Sequence, residues 1–393
     1  MALIPSIDFP VDQVLFAYNN SVLEFASDDE NKTPLYCDIS IEGNLLTTIY
    51  PNPSKAFYYN FKELFPSIIN ENSFQDFTDI RFDPNDITTY YYSEDDNVYK
   101  ELNLLLSVTY EDASVENLNR TVKLLRATID IETYKIFQVG NLLTTNTVLT
   151  TYAENGFVGF PRVGYAKYFE GYPFDFTFLS PENCTLTNQT NLDSLSLIGL
   201  TKVTRLGISD GRTDTTIDLF FLISDGVNFI RLVDTSAKDV QSENPFQLKL
   251  IKDSKCPEGV YIKWLNNYGG WSYWLFNKNF QRSLSASSLG SINNDFNNLD
   301  QTTSPFLSIG KESQYTIRAL SDNIEKEDND LLITVLDSPK VYLFTGTPFA
   351  KNTYQDWIEV EVFNRNAITK QFKRDLNNIE FNFRLPEKNN MKL

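Results

Sequence analysis

Val260–Phe276 reads VYIKWLNNYGGWSYWLF, and this one stretch holds three of the chain's four tryptophans. On its first arm Val260, Ile262 and Trp264 point one way and Tyr261, Lys263 and Leu265 the other, the two-residue period of a strand. The second arm, Trp271 to Phe276, is apolar on both faces, as a strand covered on both sides would be. Between the arms, Asn266-Asn267-Tyr268-Gly269-Gly270 tolerates positive φ, so the chain can reverse. The stretch is read as a hairpin at the centre of a β-sandwich, with Trp264, Trp271 and Trp274 in the core and Trp357 as a fourth core indole. An exposed platform for stacking sugars or bases is the functional alternative. Apolar arms around a short turn favour the core.

Composition agrees with sheets. The chain has 393 residues, 41% hydrophobic and 22% charged, values of a globular protein large enough for two or three cores. Thirty Phe and 21 Tyr raise the aromatic share to 14%, which favours strands. The fold class expected is all-β, mostly antiparallel β-sandwich domains, with a few short helices, one of them near the C-terminus. A net charge of −18 argues against a nucleic-acid backbone or an anionic membrane as partner.

Histidine is absent, which removes the commonest general base and the commonest zinc ligand together. Neither a Ser-His nor a Cys-His nucleophile pair can exist. Three cysteines, Cys37, Cys184 and Cys256, allow at most one disulfide and make no thiolate metal site. No cofactor, metal or catalytic residue is therefore assigned. A glycosidase working with two carboxylates needs no histidine and survives this exclusion, but no acidic pair stands out beside an aromatic pocket. The opening MALIPSIDFPVDQ lacks the basic start and apolar core of a signal peptide. Synthesis in the cytoplasm is expected, and no apolar run approaches a membrane span.

Towards the C-terminus, Ser283–Gln301 is rich in Ser and Asn and is read as a mobile loop that contacts neighbours. Ser313–Ala319 follows as a strand. Ile324–Leu336 is read as a helix, acidic in its early turns and apolar on one face. Lys340–Thr345, Gln355–Asn364 and Leu376–Leu385 resume the sheet, the last two alternating strongly.

Towards the N-terminus, Asn155–Gly171 alternates glycine with aromatics but carries no phosphate-cradle motif. It is read as an interface loop, with Phe157, Phe160 and Tyr165 as candidate contacts. Tyr90-Tyr91-Tyr92 is a second candidate interface, against the plainer reading of a covered strand. Asp210, Asp214 and Asp218 lack calcium-loop spacing and are read as turn and strand residues. Leu102–Tyr110 is the strongest strand of the first half, and Lys62–Ile69 a short helix interrupted by Pro66. Ser180-Pro181-Glu182-Asn183 is the best linker, dividing the chain into 1–180, with a subdivision near 100, and 181–393.

Three stretches carry a resemblance: LYCDISIEGNLLTTIYPNPSKAFYYNFKELF (Leu35–Phe65), the Trp hairpin, and LLITVLDSPKVYLF with DWIEVEVF and IEFNFRLP. In that order the chain resembles distal-tail-like proteins of the tail tip or baseplate of tailed bacteriophages infecting Bacteroidetes-type hosts. Each stretch is a pattern of residue types rather than a catalytic signature. The resemblance implies a structural subunit of a homo-oligomeric ring, found in the virion tail, with other virion tail proteins as partners. A carbohydrate-binding module or adhesin is the alternative, using exposed aromatics near Trp271 or Tyr90–Tyr92 on a host-surface glycan.

Overall fold

The computed structural model describes residues 3–391, apart from 10–13, 30, 71–72, 80, 95–97, 130–147, 154–162, 181, 236–246, 255–257, 278, 294–305 and 364–376. These residues form an all-β protein whose strands are mostly antiparallel. Two short α-helices, Leu64–Ile69 and Lys326–Ile333, interrupt the sheets. The second is shorter than the sequence pattern of Ile324–Leu336: Ile324 still belongs to the strand Lys311–Ile324, and residues after Ile333 continue as turns. No helix among the described residues is long and apolar enough to cross a membrane.

The first core lies wholly within the first 124 residues. A five-stranded sheet runs Val14–Phe16, Val115–Leu125, Tyr99–Tyr110, Pro34–Ile41, Asn44–Ile49, and a three-stranded sheet runs Leu3–Ile7, Val22–Ser27, Phe57–Asn60. Both sheets bury alternate residues into one cluster, among them Phe25, Phe57, Ile39, Leu104 and Leu106. Asn60 accepts a hydrogen bond from the Lys62 amide and so starts the turn that leads into the first helix. Pro66 sits in that helix's first turn, where its missing N–H costs no helical bond.

The second core spans Tyr90 and residues 148–383. Its largest sheet has six strands, in which Val163–Phe169 pairs parallel with Gln247–Asp253. Pro173–Leu179 pairs with Val203–Asp210 in another sheet. A division at residue 180 would cut both pairings. A third cluster brings together Val14, Phe16, Val98 and Leu125 with Leu149, Leu179 and Val203.

The Trp hairpin is formed by Gly259–Leu265 and Trp271–Asn277, paired from Gly259↔Asn277 to Leu265↔Trp271. Trp264, Trp271 and Trp274 are buried, whereas Trp357 is only partly buried. The indole N–H groups are used internally: Trp264 donates to Thr334 Oγ1 at 2.8 Å and Trp274 to Ser321 Oγ at 2.9 Å. Every residue from Val260 to Leu265 is buried, so both faces of the first arm are covered, Lys263 included.

The turn of the hairpin docks against the first half of the chain. Asn266 Oδ1 accepts from the Tyr268 and Gly270 amides, and its Nδ2 donates to the Leu149 carbonyl. The Thr128 amide donates to the Asn267 carbonyl at 2.7 Å. A Cβ on Gly270 would lie 2.0 Å from the Leu149 carbonyl oxygen. Gly270→Ala is therefore expected to lose about 1–3 kcal/mol by forcing the turn off its seat. The denaturant midpoint reads this, and an unchanged midpoint would mean that the seat is not tight.

Ser283–Gln301 is corrected in part. Ser283–Ser288 belongs to the strand Phe280–Ser288, paired residue for residue with Lys311–Ala319, because small polar side chains do not prevent backbone pairing. Residues 294–301 lie outside the described residues.

Candidate functional site

A cluster of buried charges sits beneath the Trp hairpin. Arg205 lies mid-strand in Val203–Asp210, every residue of which is buried. Its guanidinium grips Asp76 with two prongs, Nη1 to Oδ1 and Nη2 to Oδ2, both at 2.9 Å. Nη2 also donates to Asp175 Oδ2 at 2.8 Å, and Nη1 to Glu94 Oε1 at 3.3 Å. Lys263, from the hairpin, donates to Asp76 Oδ2 at 2.8 Å, and Tyr273 donates to Asp175 Oδ2 at 2.8 Å. The Lys263 ammonium lies 4.6 Å from the Trp357 ring centroid and 5.3 Å from that of Trp271. Desolvated cation–π contacts of this kind offset part of the cost of its burial.

The electrostatics follow from burial and pairing. Burial pushes the Asp76 carboxyl upward, but Arg205 and Lys263 outweigh it and hold the group well below the ordinary carboxylate range. Burial raises Glu94, with Arg205 opposing. Burial lowers Lys263, with Asp76 opposing. Burial and the neighbouring Asp175 carboxylate keep the Tyr273 phenol protonated. A group with a depressed folded pKa stabilises the fold above its unfolded value and loses that contribution as pH falls through the folded value. The contribution of Asp76 is thus complete above its unfolded value of 3.8 and is lost below it. Glu94 shifts the opposite way and offsets part of the loss. The denaturant midpoint should hold from about pH 7 to 5 and fall below about pH 4. The fall should be smaller in Asp76→Asn; an equal fall would place the acid sensitivity elsewhere.

A cavity of about 50 Å³ adjoins the cluster, lined in part by Asp175, Arg205, Lys263, Asp210, Tyr273 and Trp357. That space admits a few waters and not a sugar ring. Asp76 and Asp175 are both paired with cations, Asp76 with Arg205 and Lys263 and Asp175 with Arg205. The cluster joins the segment holding Asp76, Glu94 just after the strand Tyr91–Ser93, the strands Pro173–Leu179 and Val203–Asp210, and the hairpin. No group of three or more His, Cys, Asp or Glu residues among the described residues could hold a metal ion.

The candidate interface residues lie elsewhere than expected. Tyr90 is fully buried and donates to the Thr215 carbonyl. Tyr91 donates to the Ile198 carbonyl at 3.0 Å and is half-buried. The Tyr92 ring lies 5.6 Å from the Arg205 guanidinium carbon. The triplet is thus internal packing, because its strand Tyr91–Ser93 pairs with Val203–Asp210. Tyr165 is also buried, in the strand Val163–Phe169, and its hydroxyl donates to Asp328 on the second helix. Phe157 and Phe160 lie outside the described residues, as does Cys256. Cys37 and Cys184 are buried and form no disulfide, and burial pushes the Cys37 thiol up to about 12.

None of the five charged residues of the cluster was singled out in the sequence. A usable signal exists for three: Asp175 in FDFTFL, Arg205 in VTRLGIS and Lys263 in YIKWL are lone charges inside apolar strands. A charge in such a run has to find a buried partner.

No family model matches the sequence, and no curated protein matches it. Among solved structures the chain is similar to fibronectin(III)-like modules of Clostridium thermocellum CbhA. That likeness covers 64% of this chain and 94% of the other, at 7% identity and a TM-score of 0.20. It is also similar to a Ca2+-stabilized adhesin that helps an Antarctic bacterium reach out and bind ice, over 98% of both chains, at 8% identity and a TM-score of 0.18. Likenesses at these TM-scores carry no weight for function.

Proposed function

We propose that this chain is a structural protein that assembles with copies of itself, and, following the resemblance, a subunit of the tail tip or baseplate of a tailed bacteriophage. The observation that carries the reading is the Arg205 cluster. Side chains suited to chemistry or recognition are consumed there in tying segments together, beside a space too small for a sugar. The aromatic residues named for a glycan platform, Trp271 and Tyr90, are buried, and Tyr91 and Tyr92 are engaged internally. In this role the protein works without cofactor or catalytic residue, and its partners are other tail proteins.

Light scattering on the purified chain, with negative-stain images, tests the proposal. Discrete symmetric assemblies are expected. A monomer at all concentrations that binds a defined glycan on an array would replace this reading with the adhesin one.

A further inference from the structure

The strand Phe280–Ser288 forms one edge of a four-stranded sheet, ordered Phe280–Ser288, Lys311–Ile324, Asn377–Arg384, Glu361–Val362. All nine of its residues are exposed, Phe280 and Leu284 by about half. Edge strands are normally guarded by lysine, proline, inward charges or a bulge. Here the sequence is FQRSLSASS, its register is unbroken, and its one charge, Arg282, is stacked over Tyr315 at 4.3 Å. Among the described residues no strand pairs with its outer side.

The direction of its backbone groups is fixed by two hydrogen bonds. The Leu320 amide donates to the Asn279 carbonyl and the Leu289 amide to the Gly310 carbonyl, so odd-numbered residues face the inner strand. The N–H and C=O groups of Phe280, Arg282, Leu284, Ala286 and Ser288 therefore point away from the sheet. From this we infer that the Phe280–Ser288 strand pairs antiparallel with the same strand of a second copy, about a two-fold axis at Leu284.

That register engages the whole strand and is self-complementary. Leu284 meets Leu284, Arg282 meets Ala286, and Phe280 meets Ser288, so every outward backbone group meets an outward partner. A register centred two residues earlier would set Arg282 against Arg282, a like-charge pair. The contact is isologous, as two-fold interfaces are. Choosing a second copy as occupant rests on the assembly reading above. Because each copy carries a net charge of −18, association should tighten as salt is raised.

Cysteine cross-linking tests the register, in a Cys256→Ser background. Leu284→Cys places two thiols opposite each other at a Cα separation of roughly 5.5 Å, within disulfide range. Arg282→Cys places its copies four residues out of step, roughly 14 Å apart, beyond that range. Mild oxidation should give a covalent dimer with the first and none with the second. Ala286→Pro removes an outward N–H and no internal bond, so it should weaken association at least tenfold while leaving the unfolding midpoint unchanged. Equal cross-linking of both cysteine variants, or unaltered association of Ala286→Pro, would overturn the inference. Assemblies that form without any Leu284→Cys cross-link sink this pairing and spare the structural reading. A wild-type chain that stays monomeric sinks both.

Discussion

Arg205→Ala should be the most damaging single replacement in the protein, costing at least about 3–5 kcal/mol. Three carboxyl groups, those of Asp76, Asp175 and Glu94, lose a buried partner together. A domain's whole stability is only about 5–15 kcal/mol, so the variant should be largely unfolded or insoluble. Arg205→Lys keeps the charge and loses the planar fork that grips Asp76 at both oxygens while reaching Asp175. It should recover less than half of the loss. Urea unfolding followed by tryptophan fluorescence measures both. An Arg205→Ala protein as stable as wild type would show that the cluster does not hold these segments together.

Trp264→Ala should cost about 3–5 kcal/mol by a different route. This indole is fully buried at the centre of the second core. Its N–H bond to Thr334 is lost too, although the Thr334 hydroxyl keeps its own donation to the Leu331 carbonyl at 2.7 Å. Trp264→Phe should retain much of the packing and lose about 1–2 kcal/mol. Trp357→Ala serves as the contrast, since that ring is only partly buried and should cost less. A loss below about 1 kcal/mol for Trp264→Ala would remove the hairpin from the centre of the fold.

Local pattern and long-range pairing explain what could be read from the sequence. The hairpin was legible because alternation and an Asn-Gly-rich turn are both local signals, as were Leu102–Tyr110 and the final strand Asn377–Arg384. The role of Lys263 is not legible locally, because its partner, Asp76, lies 187 residues away. The tyrosine triplet admits two readings from sequence, a contact surface or a covered strand, for the same reason. Its hydroxyl acceptors, the carbonyls of Thr215 and Ile198, come from strands and turns more than a hundred residues further on. Ser283–Ser288 looked like a loop by composition, yet pairing is a backbone property and its partner strand lies beyond residue 310. Nor does any local feature announce that Val163–Phe169 will lie beside Gln247–Asp253, across the boundary placed at residue 180.

The two largest hydrophobic clusters differ in when they can close. The first needs nothing beyond Leu124, so it can collapse while most of the chain is still being translated. The second waits for Phe381 and Phe383, which pack edge-on against Phe276. Until that last strand leaves the ribosome, the indole-bearing hairpin has no ceiling and exposes the stickiest surface of the nascent chain. Premature termination after residue 340 should therefore yield aggregates rather than a smaller soluble product.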